Sequence, residues 1–508
     1  MRVVVVGAGL GGLSAACYLA GAGHEVTVLE RGTVPGGRAG VLDQGGYRID
    51  TGPVVLTMAG ILSEVFAAAG ARMEDHLRLR RLDPMYRACF ASGDDPAGAG
   101  TIYVRHGREA MSEEIAFTCG PREAVAYGRF CDWLTRLYRA EQEPFIARNY
   151  DSPLDLLRPL GPLLALVRLG GMRRLSAVVG EHFADPRLRR LFSFQALYAG
   201  LSPLRALALY GVITYMDAVE GLWFPEGGIH AVSRGLARAA LSAGADLRYG
   251  AEVGSVLRRR SDGAVAGVRL MGGEVVPAEA VVANADVPAV YRHLLGGLRA
   301  PRAVRRGRYS PSCVVWTAGG PMQVGAGAAH HNIHFGQEWD QAFADLLAGR
   351  TRMADPSTLV TLPTVTDPAL APPGRHCLYA LEPVPNLDGE IDWSTERDVA
   401  WTDLVARLGR LGYHLEGEPE VEDFTDPTDW ERQGLERGTP FSLSHRFLQS
   451  GPFRPDNVDA RVPGLVLVGS GTRPGVGIPM VLVSGRLAAE RIQRWAKGSW
   501  RKRWGRWR

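Results

Sequence analysis

The sequence has 508 residues, of which 46% are hydrophobic and 22% are charged; it therefore excludes a disordered chain and predicts about three domain-sized units. The net charge is +4, and most of that excess lies in the C-terminal tail, which excludes a broad nucleic-acid-binding surface. The six cysteines have no C-x-x-C spacing, so we expect a reducing compartment with neither a metal site nor a disulfide framework.

The sequence contains no apolar run long enough for a membrane-spanning helix. The N-terminal valines, Val3–Val6, stop at a glycine turn, and we interpret them as a mature strand rather than a signal peptide. The chain is therefore expected to be cytoplasmic or to lie on a membrane surface.

The first thirty residues predict a strand, a glycine turn, a helix and a second parallel strand, the unit that binds an adenine dinucleotide. The glycines of the turn are Gly7, Gly9, Gly11 and Gly12. Gly7 allows the tight turn, Gly9 lets the backbone approach a pyrophosphate, and Gly12 lets the helix pack closely on the strand. Glu30 ends the second strand, where it would accept hydrogen bonds from ribose hydroxyls and repel a 2′-phosphate, which argues against NADP.

A second glycine turn distinguishes FAD from NAD, which the first turn alone does not. It follows the ribose acid directly and contains Arg31, Gly36, Gly37 and Arg38. An extended FAD needs a second phosphate loop at this place, whereas NAD does not. Gly52 and Pro53 would then bring backbone close to a flat ring.

The chain next predicts a helix around residues 61–66 and strands around 85–90 and 101–104, which begin a second domain with antiparallel sheet. Residues 112–220 are helical in pattern, and we interpret the aromatic stripe on the helix that opens at Pro121 as core. The apolar segment 153–174, bounded by arginines, has two interpretations of equal weight: a helix in a bilayer interface or a buried helical hairpin.

The chain returns to the nucleotide domain near Trp223. A helix is predicted over 233–242, then one strand over 244–253 that would lay Val253 near the adenine, and a further core strand over 281–286. Strands around 314–316, 359–362 and 377–381 complete the second sheet. We interpret His330, His331 and His334 as solvated loop histidines, because no acid or cysteine has metal-ligand spacing with them.

The last block predicts a strand, a glycine-rich loop and a helix that starts near Pro479. A helix N-terminus here could stabilise negative charge on the pyrimidine edge of a reduced flavin. The cofactor-binding residues predicted in this block are Gly469, Gly471, Gly477, Ile478 and Pro479.

Together these patterns predict an α/β fold with a discontinuous Rossmann-like FAD domain, a mixed-sheet substrate domain and a helical insert suited to membrane contact. The FAD domain is assigned to residues 1–80, 221–300 and 456–495, and the substrate domain to residues 81–111 and 301–455. Residues 112–220 form the insert, and residues 496–508 form a basic, tryptophan-rich tail.

The sequence resembles the bacterial phytoene desaturases of the carotenoid pathway essentially from end to end. The motifs that carry the resemblance are Gly7-x-Gly9-x-x-Gly12, Pro35-Gly-Gly-Arg38, Asp50-Thr-Gly-Pro53, Phe224-Pro-Glu-Gly-Gly228, Asn284-Ala-Asp286 and Gly471-Thr-Arg-Pro-Gly-Val-Gly-Ile-Pro479. Two residues differ from the usual sequence motif of the family: Arg473 stands where histidine is usual, and Val476 stands where alanine is usual.

The resemblance implies FAD-dependent insertion of double bonds into a linear C40 polyene, with hydride passing to the flavin and with oxygen or a quinone as the electron acceptor. Such a substrate requires an apolar tunnel and membrane access, so the resemblance implies peripheral association with the inner face of the membrane. The 153–174 segment and the tryptophans and basic residues from Trp495 onward are the candidates for that contact.

The sequence identifies no catalytic base, although loss of a hydride leaves an allylic cation from which a proton must depart. Glu226 lies beside a glycine pair but is more typical of a solvated turn acid. Three alternatives remain open: a polyene isomerase or saturase that uses reduced FAD, a prenyl-binding protein that has lost flavin, and an amine oxidase.

Overall fold

The structure is a computed structural model that describes residues 1–90, 100–158, 160–325 and 327–497. The strands are β1 Arg2–Val6, β2 Glu25–Leu29, β3 Val41–Gln44, β4 Tyr47–Asp50, β5 Leu79–Arg81, β6 Tyr86–Phe90, β7 Thr101–Val104, β8 Trp223–Pro225, β9 Asp246–Arg248, β10 Val253–Arg258, β11 Val265–Leu270, β12 Val275–Pro277, β13 Ala280–Ala283, β14 Ser312–Gly320, β15 Met322–Val324, β16 His331–Phe335, β17 Thr358–Thr361, β18 His376–Val384, β19 Tyr413–Leu415, β20 Val421–Thr425 and β21 Leu465–Leu467. The α-helices are α1 Leu10–Gly21, α2 Ala59–Ala68, α3 Arg108–Thr118, α4 Pro121–Glu141, α5 Leu160–Arg168, α6 Leu175–His182, α7 Pro186–Leu191, α8 Gly211–Tyr215, α9 His230–Ser242, α10 Val287–Ala289, α11 Arg302–Arg305, α12 Trp339–Ala348, α13 Trp393–Arg410, α14 Pro427–Arg432 and α15 Ile478–Ala496.

A five-stranded parallel sheet holds the predicted dinucleotide unit, in the order β21-β13-β1-β2-β9. Val3–Val6 are all buried because both faces of the sheet are covered, which explains the continuous apolar run of β1. Val3 and Val5 pack under helices α1, α9 and α15, whereas Val4 and Val6 pack under strands β10 to β12. Helices α1 and α15 cross so closely that a Cβ on Gly485 would lie 2.6 Å from the Cβ of Ser14. The Ser14 hydroxyl donates to the Leu482 carbonyl (2.7 Å), which ties the two ends of the chain together.

The prediction of one strand over residues 244–253 is wrong. Strand β9 ends at Arg248, and the chain turns before β10 starts at Val253. Strand β10 pairs with β11 in a separate three-stranded antiparallel sheet, β10-β11-β12. The apolar residues on either side of the turn therefore belong to two sheets, although they form one continuous pattern in the sequence.

A seven-stranded mixed sheet forms the second domain, in the order β20-β14-β18-β17-β16-β6-β7. Its strands pair antiparallel except for β16 and β6, which run parallel. Two of the strands precede the helical insert and five follow it, so the predicted combination of a Rossmann-like domain with a mixed-sheet domain is confirmed.

The prediction that His330, His331 and His334 are solvated loop residues is wrong. His331 opens β16, and His330 and His331 are buried. His330 Nδ1 lies 2.7 Å from Thr366 Oγ1, His331 Nδ1 lies 2.8 Å from Thr361 Oγ1, and His334 Nε2 lies 2.9 Å from the Tyr413 hydroxyl. Burial lowers the pKa of His331 to about 3, so its imidazole is neutral and forms part of the sheet core.

Residues 108–220 contain helices α3 to α8 and a core rich in aromatic rings. Phe130 on α4 packs against Trp133, Phe183 and Phe192, which confirms the aromatic stripe as core. Helix α5 differs because none of its residues is buried. The buried-hairpin interpretation of segment 153–174 is therefore wrong.

The strands of the parallel sheet come from residues 2–6, 25–29, 246–248, 280–283 and 465–467, so the chain leaves this sheet and returns to it twice. The exact domain boundaries stay a prediction. Among the helices in the described ranges, none combines the length and the apolar character needed to cross a bilayer. The tail from residue 498 onward lies outside the described residues. Trp495, which precedes it, is half-buried and packs against the core of the parallel-sheet domain.

Candidate functional site

A cavity of about 1170 Å³ runs from the glycine turns of the parallel sheet, past the mixed sheet, to the helical insert. It brings together fifteen of the seventeen cofactor-binding residues predicted from the sequence. These are Gly7, Gly9, Gly11, Glu30, Arg31, Gly36, Gly37, Arg38, Gly52, Pro53, Val253, Gly469, Gly477, Ile478 and Pro479.

Gly12 and Gly471 are the two predicted residues that do not line the cavity. An ideal Cβ on Gly12 would lie 2.2 Å from the Gly7 carbonyl oxygen, so Gly12 allows helix α1 to pack on the turn. A Cβ on Gly471 would lie 2.8 Å from Val287 Cγ2. Both glycines therefore lie behind the cavity wall, where they allow neighbouring elements to pack closely.

Asn284 lies directly behind the first glycine turn, at the end of β13. Its Nδ2 donates to the Gly7 carbonyl (3.3 Å), and a Cβ on Gly9 would lie 2.8 Å from the same nitrogen. Any side chain at position 9 would therefore clash with this amide, even without a ligand in the cavity. The sequence placed Asn284 in a family motif, but its contact with the first turn depends on the parallel pairing of β1 with β13.

Glu30 is held at the mouth of the first turn by two backbone hydrogen bonds. Its Oε2 accepts from the Ala8 N–H (2.7 Å), and its Oε1 accepts from the Gly32 N–H (2.8 Å). A carboxylate oxygen has two lone pairs, so each oxygen keeps one acceptor site after these bonds. This geometry is compatible with the predicted recognition of ribose hydroxyls.

The two arginines of the second turn differ in their surroundings. Arg31 is exposed and donates to the Gln433 carbonyl (3.1 Å). Arg38 lines the cavity and donates from Nη1 to the Pro440 carbonyl (2.6 Å). Burial lowers the pKa of Arg38, and no carboxylate among the described residues lies within ion-pair distance of it. Its remaining N–H groups are available to an anion in the cavity.

The C-terminal loop forms the opposite wall, and a buried arginine that the sequence did not single out holds it in place. Arg454 Nε donates to the Thr472 carbonyl (2.9 Å), and Arg454 Nη2 donates to the Ser470 carbonyl (2.6 Å). Desolvation lowers its pKa to about 10, so the guanidinium stays charged at neutral pH. Gly477 follows this loop and caps helix α15 at the cavity surface.

Arg473, which stands where histidine is usual in the resembling family, lines the cavity and is buried. Its guanidinium donates to the carbonyls of Tyr150 and Pro452 (both 2.9 Å) and pairs with Asp456 (3.3 Å). An imidazole does approach this loop from another segment: His445 Nε2 accepts from the Val476 N–H (3.4 Å). Burial lowers the pKa of His445 well below its usual value, so this ring is neutral.

The far half of the cavity is apolar. The mixed sheet contributes Cys313, Leu359, Tyr379 and Leu381, and the insert contributes Leu156, Leu163, Leu166, Val167, Met172, Leu209, Val212 and Ile213. An apolar wall of this extent is typical of a site for a hydrophobic ligand.

Two buried carboxyl groups face this half of the cavity, and sequence reasoning identified neither. Glu141 ends helix α4, and Asp217 lies in a π-helical turn, Met216–Glu220, that follows α8. Both have a carboxyl oxygen with no hydrogen-bond partner among the described residues: Glu141 Oε1 and Asp217 Oδ1. Glu226, by contrast, forms an ion pair with Arg80 (2.9 Å) and does not line the cavity.

The residues present fit a dinucleotide such as FAD. The cavity passes a helix N-terminus, a fixed carboxylate at Glu30 and a half-buried cation at Arg38, which match a pyrophosphate and a ribose. Among the described residues, no group of three or more histidine, cysteine, aspartate or glutamate side chains is placed to hold a metal ion.

A family model described as flavin containing amine oxidoreductase matches residues 10–493. A phytoene dehydrogenase from Streptomyces griseus is 49% identical over 97% of this chain and 95% of its own length. A zeta-carotene-forming phytoene desaturase from Myxococcus xanthus is 39% identical over 97% of this chain and 94% of its own length. The resemblance to bacterial phytoene desaturases is therefore confirmed.

Solved structures show the same fold at low sequence identity. A putrescine oxidase variant matches with a TM-score of 0.60 at 17% identity, covering 97% of this chain and 99% of its own. An oxidoreductase from Methanosarcina mazei matches with a TM-score of 0.59 at 18% identity, covering 96% of this chain and 100% of its own. The predicted fold class agrees with these structures, and the predicted flavin cofactor agrees with the family match.

We expect Gly12→Ala to lower the free energy of unfolding by about 1–3 kcal/mol, because the new methyl group would overlap the Gly7 carbonyl. Thermal unfolding and the flavin absorbance of the purified protein measure the effect. Gly60→Ala is the matched control, since a Cβ there meets nothing within 4 Å. Equal stability and equal flavin content in the two variants would contradict the packing role of Gly12.

We expect Arg38→Gln to weaken FAD binding by about 10- to 100-fold, the usual contribution of a charge-assisted hydrogen bond to an anion. Titration of apoprotein with FAD, followed by flavin fluorescence, measures the dissociation constant. Arg72→Gln serves as control, because Arg72 is exposed and pairs only weakly with Glu74 (4.0 Å). An unchanged dissociation constant would show that Arg38 does not contact the cofactor.

Proposed function

The chain belongs to the family of flavin-containing amine oxidoreductases, and we propose that it uses FAD to desaturate a linear C40 carotenoid precursor such as phytoene. The observation that carries this proposal is the continuous cavity, which joins dinucleotide-binding turns to an apolar chamber. The relatives named phytoene dehydrogenase and phytoene desaturase support the same substrate class.

An unactivated hydrocarbon offers no polar group for recognition, so its binding must come from burial, about 0.8 kcal/mol per CH₂. The apolar side chains of the mixed sheet and the insert supply that surface. When bound, FAD supplies a two-electron oxidation by accepting a hydride, and we propose a quinone or dioxygen as the final acceptor. The protein's part is to align the polyene, exclude water and receive the proton that the substrate loses.

We propose that the polyene enters from a membrane through the mouth formed by helix α5. Six apolar side chains there are between 50 and 71% exposed: Leu154, Leu157, Leu160, Leu164, Val167 and Met172. Val167 and Met172 also line the cavity, so the exposed patch is continuous with the apolar chamber. Such a patch is too apolar for an ordinary surface and suits a bilayer interface.

Arginines beside this patch support contact with anionic headgroups. Arg158, Arg168 and Arg174 border the exposed helix, and a basic side chain near such a surface contributes about 1 kcal/mol of attraction. We therefore propose peripheral association with the inner, cytoplasmic face of a membrane that carries the substrate.

We expect purified protein with FAD to convert phytoene in liposomes into products that lose two hydrogens per double bond formed. Mass spectrometry and the pigment absorption spectrum measure the reaction. A product of unchanged mass would indicate an isomerase instead. If the protein binds FAD but leaves phytoene unchanged with both quinone and oxygen present, the proposed substrate is wrong.

We expect the triple variant Leu160→Ser, Leu164→Ser, Val167→Ser to lose binding to anionic vesicles by at least about tenfold, because apolar burial at the interface is removed. Vesicle co-sedimentation measures binding, and flavin absorbance shows that the cofactor site is intact. The control triple variant makes the same change to serine at Leu241, Met271 and Val275. These exposed residues lie on α9 and at the turn between β11 and β12. Equal loss in both variants would contradict a specific membrane surface.

A further inference from the structure

We propose that Asp217 is the catalytic residue that accepts the proton lost from the polyene. This inference rests on the proposed function and names the base that the sequence did not identify. It is carried by the position of one buried carboxylate that lines the apolar half of the cavity with one oxygen anchored and the other free.

The anchored oxygen of Asp217 is Oδ2. It accepts from the Tyr86 hydroxyl on β6 (2.7 Å) and from Gln195 Nε2 (3.1 Å). Gln195 is fixed in turn, because its Nε2 also donates to the Leu191 carbonyl (3.0 Å) and its Oε1 accepts from the Thr214 hydroxyl (3.3 Å). The carboxyl group is therefore held in one orientation by two elements of the fold.

The free oxygen is Oδ1, which has no hydrogen-bond partner among the described residues. Asp217 is only 1% exposed, so Oδ1 is screened from bulk solvent. A buried carboxylate oxygen without a partner is energetically costly, so its presence in a folded protein calls for an explanation. Because Asp217 lines the cavity, a hydrogen of the bound polyene is the partner that we assign to Oδ1.

The electrostatic surroundings suit a base at neutral pH. Burial raises the pKa of Asp217 to about 6, while the hydrogen bonds from Tyr86 and Gln195 oppose that rise. The phenols of Tyr86 and Tyr198 face it, and burial raises the pKa of both well above the usual value, so they stay neutral. Glu141, the other buried cavity carboxyl, has no such anchoring hydrogen bonds among the described residues. Burial raises its pKa well above the usual range, which favours its protonated form over an ionised base.

The step balances as a two-electron oxidation. One C–H bond of the polyene breaks, and its hydrogen leaves with the electron pair as hydride. FAD, when bound, would accept that hydride and would pass the two electrons to a quinone or to dioxygen. The C–H bond on the neighbouring carbon then breaks, and its electron pair forms the second bond of the new C=C. The proton that is released forms an O–H bond at Asp217 Oδ1. A carboxylate in the apolar chamber also stabilises the cationic carbon between these events.

The test is Asp217→Asn in the FAD-loaded protein, since asparagine retains an acceptor for Tyr86 and Gln195. We expect FAD content and melting temperature close to wild type and a fall in turnover of about 100-fold or more, the usual contribution of a general base. Asp459→Asn is the matched control, because Asp459 also accepts from a tyrosine hydroxyl, that of Tyr291 (2.8 Å), yet does not line the cavity.

A second measurement does not depend on turnover. The infrared difference between wild type and Asp217→Asn, both with FAD bound, should show one carboxyl band that titrates near pH 6. Burial also raises the pKa of Asp50 to about 6, but that carboxyl titrates in both proteins and cancels in the difference. Tyr86→Phe removes a hydrogen bond that lowers the pKa of Asp217, so both this band and the acid limb of the pH–rate profile should move to higher pH. A purely structural role for Asp217 would move neither.

The outcomes separate this proposal from the proposed function. If wild type desaturates the polyene and Asp217→Asn retains more than a third of its turnover, or if Glu141→Gln alone abolishes it, the assignment of the base is overturned. If wild type binds FAD but does not desaturate, the proposed function fails and this proposal fails with it.

Discussion

The close approach of helix α1 to strand β1 at Gly12 is the constraint on which the rest of the site depends. A Cβ at Gly12 would overlap the Gly7 carbonyl, so only glycine lets the helix N-terminus reach the carboxyl end of the central strand. That end is a topological switch point, because β13 and β2 lie on opposite sides of β1. The second glycine turn docks on the first through the bond from the Gly36 N–H to the Ala8 carbonyl (2.9 Å).

Around this fixed point, three separate parts of the chain form one cavity. The parallel-sheet domain holds the dinucleotide turns, the mixed sheet supplies one apolar wall, and the insert supplies the other wall and the mouth. Arg454 links the segment around Leu443 to the C-terminal loop. Its acceptors among the described residues are backbone carbonyls, whose dipoles stabilise the buried guanidinium. A buried cation of this kind is costly to move, which keeps the loop and the helix that follows it in one position.

The elements that were predicted well are those whose local pattern leaves few alternatives. The strand, turn and helix around Gly7 and Gly12, the strands at 86–90 and 101–104, and helix α15 all lie where the periodicity and the glycines indicated. The histidines at 330, 331 and 334 were misplaced because their partners, Thr366, Thr361 and Tyr413, are far away in sequence. The prediction of a single strand over 244–253 was wrong for a similar reason, because the sequence of this segment does not reveal that its two ends belong to different sheets.

The sequence by itself determined the family, the cofactor class and fifteen residues of the cavity wall, because a glycine turn and the strand and helix that flank it are neighbours in the chain. Only the tertiary structure decided which side chains face the substrate half of that cavity. Tyr86 lies on the mixed sheet, whereas Gln195 and Asp217 lie in the insert, so the hydrogen bond from Tyr86 to Asp217 exists only after the insert packs on that sheet. Burial and charge are properties of that assembly, so no local pattern could distinguish Asp217 from the many surface carboxylates of the chain.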